Sequence, residues 1–159
     1  VSRDVLAEVA PAALARGQAI ELEADAAVPV RGSATLLSVL VRNLADNAVR
    51  YSPDGARVLV TVGRVQGQPV LTVEDSGPGL SDEQQQRLGE RFFRVLGTAA
   101  TGSGLGWSIV RRIAAVHRAE VTTGRSAASD SAASWDGSIF PARSMSTVAT
   151  LSIPPAACG

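Results

Sequence analysis

Three stretches of the chain carry apolar residues at the spacing of an α-helix. Residues 2–16 form the first stretch, on which Val5, Leu6, Val9 and Leu14 share one broad stripe. Ser33 is a predicted N-cap for the second, a helix that extends to about Arg50. The third helix is predicted between about residue 104 and residue 117. The stripe of the second helix is Leu36, Leu37, Leu40, Leu44 and Ala48.

Between these helices, apolar and polar residues alternate in short runs, which is the pattern of half-buried β-strands. The predicted strands cover residues 18–24, 28–32, 57–65, 69–75, about 119–123 and 147–154. The sequence QGQ separates the third and fourth of these strands and contains a glycine. It therefore predicts a β-hairpin.

The order of these elements is typical of the α+β class. We expect a two-layer sandwich in which helices cover one face of a mixed, mostly antiparallel sheet, formed as a single domain by all 159 residues. Ser81 and Gln84 have the spacing of a capping box, which predicts a short helix to about Leu88. Residues 124–146 are rich in Ser, Ala and Gly without a clear period, so they are interpreted as a long mobile loop.

The composition argues against several classes of function. Fifteen basic residues balance fifteen acidic ones, whereas a nucleic-acid-binding surface would need a basic excess. One histidine and one cysteine cannot form the usual zinc clusters, and a single cysteine excludes an internal disulfide framework. The apolar runs are too short to span a bilayer. We therefore expect a domain of a reducing compartment, without nucleic-acid partners or direct membrane contact.

Polar side chains with ligand chemistry lie on one face of the second predicted helix. Asn43, Asn47 and Arg50 follow one another at i, i+4 and i+7, at the edge of the buried stripe. A carboxamide oxygen suits Mg²⁺, and the guanidinium one turn later could meet phosphate groups. The alternative is a set of ordinary polar positions capped by loops. Because asparagine has a low helix propensity, two on one face favour the functional interpretation.

The segment GTAATGSGLGWSIV, residues 97–110, places four glycines in ten positions before a helix. It is not a P-loop, because Ser103 stands where that motif has lysine, and the chain contains no lysine. Gly102, Gly104 and Gly106 also have the wrong spacing for a dinucleotide fingerprint. Glycines beside the unpaired N–H groups of a helix start still favour an anion site, with a plain glycine-rich helix entry as the alternative.

A further candidate lies where the predicted strand 69–75 ends, in the sequence VEDSGPGL. Asp75 could accept a hydrogen bond from an exocyclic amine, and Gly77 and Gly79 would let a planar ring approach the backbone. The same residues fit an Asx-type turn, which is the simpler interpretation when the segment is considered alone.

Taken together, the segments NLADNAVRYSP, EDSGPGL, RFFR and TGSGLGWSIV resemble, in order and spacing, the N, G1, F and G2 boxes of sensor histidine kinase catalytic domains. The resemblance covers about residues 1–123 and the last strand. Within that family, the boxes look most like those of the QseC-like branch, whose members partner OmpR-like regulators. The resemblance implies the Bergerat fold shared with gyrase and MutL, a mobile lid that closes over ATP, and a cytoplasmic domain of an inner-membrane sensor kinase.

The resemblance implies a role for each matching residue. Asn47 corresponds to the Mg²⁺ ligand, Asn43 to a polar contact on the phosphate side, and Arg50 to the basic phosphate contact. Asp75 corresponds to the acceptor for the adenine amine. The other implied ATP contacts shape the base pocket, anchor the lid or close on the phosphates: Tyr51, Gly77, Gly79, Leu80, Phe92, Phe93, Thr101, Gly102, Ser103, Gly104, Leu105, Gly106 and Thr147.

The implied function is binding of Mg²⁺ and ATP and donation of the γ-phosphoryl group to a histidine on a dimerisation module, with a response regulator downstream. His117 follows the G2 box and lacks the acceptor context, so the chain is interpreted as a fragment that cannot phosphorylate itself. Arg118 stands where the family commonly has glycine. Two alternatives remain open, namely an anti-sigma-factor serine kinase of the same fold and a nucleotide-binding module without catalysis.

Overall fold

The computed structural model describes residues 1–24, 27–87, 105–124 and 147–153. Within these ranges the helices are α1 (Ser2–Leu14), α2 (Ala34–Tyr51), α3 (Asp82–Arg87) and α4 (Gly106–Val116). The strands are β1 (Ala19–Ala24), β2 (Arg57–Val65), β3 (Gln68–Asp75), β4 (Glu120–Gly124) and β5 (Thr147–Ser152). Among the helices so described, none has the length and hydrophobicity needed to cross a lipid bilayer.

The strands form one five-stranded sheet in the order β1-β2-β3-β5-β4. β1 pairs with β2 in parallel, and the other three neighbouring pairs are antiparallel, which confirms the expected mixed sheet. A two-residue turn joins β2 to β3, and its residues Gln66 and Gly67 have φ of 50° and 82°. Positive φ at both positions is what a type I′ hairpin turn requires, so the predicted hairpin is confirmed.

One face of the sheet carries the apolar side chains and is covered by α1, α2 and α4. Period-two alternation places every second residue of β2, β3 and β5 on this face. The buried strand residues are Val58, Val60, Leu71, Val73, Ala149 and Leu151. The helices contribute the other half of the core, including Val5, Val9, Leu40, Leu44, Val110 and Ile113. The expected two-layer sandwich with helices on one face is confirmed.

Side chains cap two of the helices as the sequence predicts. The Oγ atom of Ser33 accepts a hydrogen bond from the backbone N–H of Leu36 at 3.3 Å, at the start of α2. The N–H of Ser81 donates to Oε1 of Gln84 at 2.9 Å, and the N–H of Gln84 donates to Oγ of Ser81 at 3.2 Å. This reciprocal pair is a capping box at the start of α3.

Helices α2 and α4 pack side by side and run in opposite directions. Gly106, the first residue of α4, lies against Asn43 and Asn47 in the C-terminal half of α2. At the other end of α4, Nε2 of His117 accepts a hydrogen bond from the N–H of Ser33, at 3.2 Å. The asparagine face of α2 and the start of α4 are therefore held together by the packing of the whole helix pair.

The prediction of a strand over residues 28–32 is wrong. This segment is irregular and pairs with no described strand. Val28 and Val30 are half-buried, which accounts for the alternation, but Pro29 between them has no N–H to donate to a ladder. Of the predicted loop 124–146, Gly124 is the last residue of β4, and 125–146 lie outside the described residues, as do 88–104.

Candidate nucleotide site

Asn43 and Asn47 lie one turn apart on α2 and face the first residue of α4. A Cβ atom on Gly106 would lie 3.0 Å from Oδ1 of Asn43 and 3.4 Å from Nδ2 of Asn47. The Nδ2 atom of Asn43 donates to the carbonyl of Val39 at 2.8 Å, so its oxygen is the end that faces Gly106. Within the described ranges, the carboxamide of Asn47 has no hydrogen-bond partner. Two half-buried carboxamides thus converge where a larger residue would displace them.

The last turn of α2 carries the basic and aromatic candidates. Arg50 is exposed, and among the described residues its guanidinium has no ion-pair partner. Tyr51 is half-buried and ends the helix. Ser52 follows as the C-cap and is 2% exposed. Its Oγ atom is buried without a hydrogen-bond partner in the described part of the chain, which is uncommon for a buried polar group.

Asp75, at the end of β3, is buried beside the same turn of α2. Its Oδ1 atom accepts a hydrogen bond from the N–H of Gly77 at 2.8 Å, which confirms the Asx turn. A Cβ atom on Gly77 would lie 2.6 Å from this oxygen, 3.3 Å from the carbonyl oxygen of Tyr51 and 3.4 Å from Oγ of Ser52. Gly77 therefore lets the β3–α3 connection pack directly against the end of α2, and the turn fixes the orientation of the carboxylate.

The remaining candidates are distributed around these two groups or lie outside the described residues. Gly79 has φ of 76°, a conformation that favours glycine. Leu80 is half-buried, and Leu105 is the N-cap of α4. Thr147 pairs with Asp75 across β3 and β5. The candidates that lie outside the described residues are Phe92, Phe93, Thr101, Gly102, Ser103 and Gly104.

The donor set determines which metal the site suits. Across the described ranges, no group of three or more His, Cys, Asp or Glu side chains could hold a metal ion. Asn43 and Asn47 instead offer carboxamide oxygens, which Mg²⁺ accepts when a bound ligand supplies phosphate oxygens. The residues present therefore fit a magnesium ion that arrives with a phosphate ligand.

A family model described as histidine kinase-, DNA gyrase B-, and HSP90-like ATPase matches residues 32–155. The match includes both asparagines of α2, the acid at the end of β3 and the start of α4. The chain belongs to this family. It is an ATP-binding catalytic domain of the sensor histidine kinase type, which confirms the resemblance of the four boxes.

Individual sensor proteins are similar to this ATPase domain. The chain is 52% identical over 96 residues to the sensor protein QseC of Salmonella typhi, a match that covers 60% of this chain and 20% of QseC. It is 37% identical over 126 residues to the sensor protein kinase PmrB of Pseudomonas aeruginosa, covering 79% and 26%. The chain thus spans about a quarter or less of these relatives' length.

A solved structure supports the fold of this family member along nearly all of its length. The mycobacterial sensor histidine kinase MprB aligns with a TM-score of 0.72 and 25% identity, over 96% of this chain and 94% of that one. The sandwich is therefore that of a histidine kinase catalytic domain.

Three residues that the sequence did not single out border on the site. Ser52 is buried beside Gly77, and Arg16 and Gln18 contact the end of α2 from the turn after α1. The local sequence predicts that Ser52 is part of a turn and that Gln18 is the first polar position of a strand. Only the packing of distant segments reveals that Ser52 lies beside Gly77 and that Gln18 contacts the end of α2.

Proposed function

We propose that this domain binds ATP together with Mg²⁺ between α2 and the start of α4, and donates the γ-phosphoryl group to a histidine on another module. The convergence of Asn43 and Asn47 on Gly106 carries the proposal. It combines a hard oxygen donor set with a helix start, where unpaired N–H groups and the helix dipole favour phosphate oxygens. When bound, the metal would neutralise phosphate charge in the transfer step.

Arg50 would supply positive charge near the phosphates. It lies one turn after Asn47 on α2 and, within the described ranges, has no acidic partner that would compete with a ligand. Phosphoryl transfer depends mainly on positioning and on stabilisation of negative charge. Asn47 as the metal ligand, Asn43 as a phosphate-side contact and Arg50 as the cation together provide these functions without a covalent intermediate.

The base would lie at the other end of the site, beside Asp75. The Asx turn holds this buried carboxylate, and the Ser52 hydroxyl adjoins the same glycine. A carboxylate accepts a hydrogen bond from the exocyclic amine of adenine, whereas guanine presents a carbonyl oxygen at that position. Because loss of a hydrogen bond to a buried group costs about 1–3 kcal/mol, we expect ATP to bind more tightly than GTP.

The acceptor histidine would come from a partner module. The single histidine of this chain is His117, and both of its ring nitrogens form hydrogen bonds. Nδ1 lies 2.8 Å from the carbonyl oxygen of Ile113, and Nε2 accepts from the N–H of Ser33. The engagement of both ring nitrogens supports the proposal that the phosphoacceptor lies on another module. By analogy with the sensor proteins QseC and PmrB, the partners would be a dimerisation module with a histidine and a response regulator.

The metal assignment is tested by titrating ATP with and without Mg²⁺ against the wild type and Asn47→Ala. We expect Mg²⁺ to tighten binding to the wild type and Asn47→Ala to lose about tenfold or more of that gain. Ser38→Ala is the control, because Ser38 lies on α2 and, within the described ranges, its hydroxyl bonds only to the backbone of the preceding turn. Equal titrations for wild type and Asn47→Ala would refute the assignment.

Phosphoryl transfer is tested by incubating the domain with labelled ATP and a separately supplied dimerisation module that carries a histidine. We expect label on that module in a base-stable, acid-labile form, and no label on the domain alone. Acid-stable label on an added serine substrate would favour the serine kinase alternative. ATP binding without any transfer to either substrate would favour a binding module.

A further inference from the structure

Gln18 lies outside the candidate site but contacts the C-terminal end of α2. It is 2% exposed, and its carboxamide nitrogen is within hydrogen-bonding distance of three backbone carbonyl oxygens. These belong to Val49 at 3.0 Å, Ser52 at 3.2 Å and Pro53 at 2.9 Å. The last carbonyls of a helix have no partner within the helix, so a buried side chain here satisfies groups that would otherwise remain unpaired.

Arg16 contacts the same end of α2 from the partly exposed side. Its guanidinium donates to the carbonyl oxygens of Val49, of Arg50 at 3.3 Å and of Ser52 at 2.8 Å. Its Nε atom also pairs with Asp54 at 2.9 Å. A cation at the negative end of a helix dipole is favourable, and the planar guanidinium can contact several oxygens at once.

The backbone of these two residues is itself fixed. Gly17 between them has φ of 62°, and its N–H donates to Leu14, while the N–H of Gln18 donates to Ala13, both at 2.9 Å. In the opposite direction, the N–H of Gly55, in the turn after α2, donates to the carbonyl of Arg16 at 3.0 Å. The turn after α1 and the turn after α2 are therefore tied to each other in both directions.

The turn held in this way forms one wall of the base-binding end of the site. The carbonyl of Tyr51 and the hydroxyl of Ser52 both lie against Gly77, beside the carboxylate of Asp75. Asn43 and Asn47, in contrast, lie further back on α2 and contact α4. Loss of the contacts from Arg16 and Gln18 would displace the wall of the base pocket while leaving the asparagine pair in a regular helix.

We propose that Arg16 and Gln18 are positioning residues that set the base-binding end of the nucleotide site by holding the last turn of α2. This inference rests on the proposed function, because it assigns the base to the region of Asp75, Gly77 and Ser52. The two residues would influence base selectivity without contacting the base or the phosphates.

The test measures three quantities for Gln18→Leu and Arg16→Gln, namely the affinity for ATP, the ratio of ATP to GTP affinities and the factor by which Mg²⁺ tightens ATP binding. We expect each variant to bind ATP about five- to tenfold more weakly and to prefer ATP over GTP less strongly. The factor due to Mg²⁺ should stay unchanged, because Asn43 and Asn47 keep their places.

Matched controls are Gln68→Leu and Arg64→Gln, which remove the same side-chain types from the far end of the β2–β3 hairpin. Gln68 contacts Ser152, and Arg64 contacts the carbonyl of Gly67. All variants are compared below their unfolding temperatures. Should Gln18→Leu not fold, Arg16→Gln decides the question, because its side chain is partly exposed.

Three negative results are possible, and they have different meanings. If the wild type shows no preference for ATP over GTP, the base assignment of the proposed function fails. If the wild type discriminates and both variants only lose thermal stability, with unchanged affinity and selectivity, the contacts serve the fold alone and the positioning role is overturned. A drop in the Mg²⁺ factor equal to the drop in ATP affinity would also overturn it.

Discussion

Gly77 and Gly106 lack a side chain because other groups already occupy the space next to them, whereas several other glycines of the domain serve turns. Gly17, Gly55, Gly67 and Gly79 have positive φ. Gly32, Gly77 and Gly106 would each place a Cβ atom within 4 Å of another group, whereas Gly17, Gly55 and Gly67 would meet nothing within that distance. The two in the boxes would meet polar atoms of Asp75, Asn43 and Asn47, so we expect substitutions there to act through the candidate site.

At Gly106 we predict that substitution by alanine weakens binding of ATP with Mg²⁺ without unfolding the domain. The new Cβ atom would lie 3.0 Å from Oδ1 of Asn43, closer than an ordinary contact, so the carboxamides must shift by a few tenths of an ångström. Alanine has a higher helix propensity than glycine, which offsets part of any loss of stability. Affinity by calorimetry and the free energy of unfolding in denaturant check the two halves of the prediction.

Gly63→Ala is the matched control, because a Cβ atom at Gly63 would meet nothing within 4 Å and its φ is not positive. It should leave nucleotide affinity unchanged. If Gly106→Ala binds ATP as tightly as Gly63→Ala does, the carboxamides are not held in the place that the proposal assigns to them.

Local spacing determined how far the site could be predicted from the sequence. Because a helix converts i and i+4 into neighbours, the spacing of Asn43 and Asn47 predicts that they lie together, and both do lie beside Gly106. Asp75 ends a strand before turn-forming residues, and that local pattern alone favours an Asx turn; its assignment to the adenine amine comes from the family resemblance. Ser52, in contrast, acquires its place from Gly77, which lies 25 positions away, and no local pattern indicates that contact.

At the scale of elements, α1 and α4 end in the same way with different residues. In α4 the N–H of Arg118 donates to Ala115 at 3.1 Å and the N–H of Ala119 donates to Ala114 at 2.9 Å. These are the two hydrogen bonds of a Schellman motif, and α1 ends with the same pair around Gly17. The residue at the left-handed position is glycine after α1 but Arg118, with φ of 53°, after α4.

We predict that Arg118→Gly stabilises the domain by about 0.5–1 kcal/mol. A side chain in the left-handed conformation costs about 1–2 kcal/mol, and the greater freedom of glycine in the unfolded chain offsets part of the gain. Denaturant unfolding measures the change. Arg118→Ala separates backbone strain from loss of the guanidinium, because it retains a Cβ atom and should show no such gain. An equal gain from both variants would contradict the strain argument.

The wrong strand at residues 28–32 shows why element prediction failed between β1 and α2. Alternating burial was inferred correctly for Val28 and Val30, which are half-buried. However, burial alone does not make a strand, since a strand also needs a neighbour with which to pair. Gly32 instead lies against the ring of His117, and a Cβ atom there would clash with Cδ2 of that ring. Contact with α4 therefore fixes this segment.

At the scale of the whole molecule, the geometry of the sheet sets the minimum length of the connection between β4 and β5. β4 and β5 are antiparallel neighbours, and Gly124 pairs with Val148. Paired Cα atoms in an antiparallel sheet lie about 4.5–5.5 Å apart. A hairpin loop of a few residues can span that distance, so the 23 residues between this pair exceed what the sheet requires.

We therefore predict that replacing residues 126–145 with four Gly or Ser residues preserves both the fold and ATP binding. The loop between Gly124 and Val148 would shorten from 23 residues to seven. Its closure entropy would then favour the folded state by ~1 kcal/mol. Thr147, which pairs with Asp75, is retained so that the candidate site is not altered. The free energy of unfolding and the dissociation constant for ATP with Mg²⁺ are the measurements.

Unchanged ATP affinity with equal or higher stability would show that the sandwich needs only the register of β4 and β5. A loss of stability of more than about 1 kcal/mol, or weaker ATP binding, would instead mean that the replaced residues make contacts on which the domain depends.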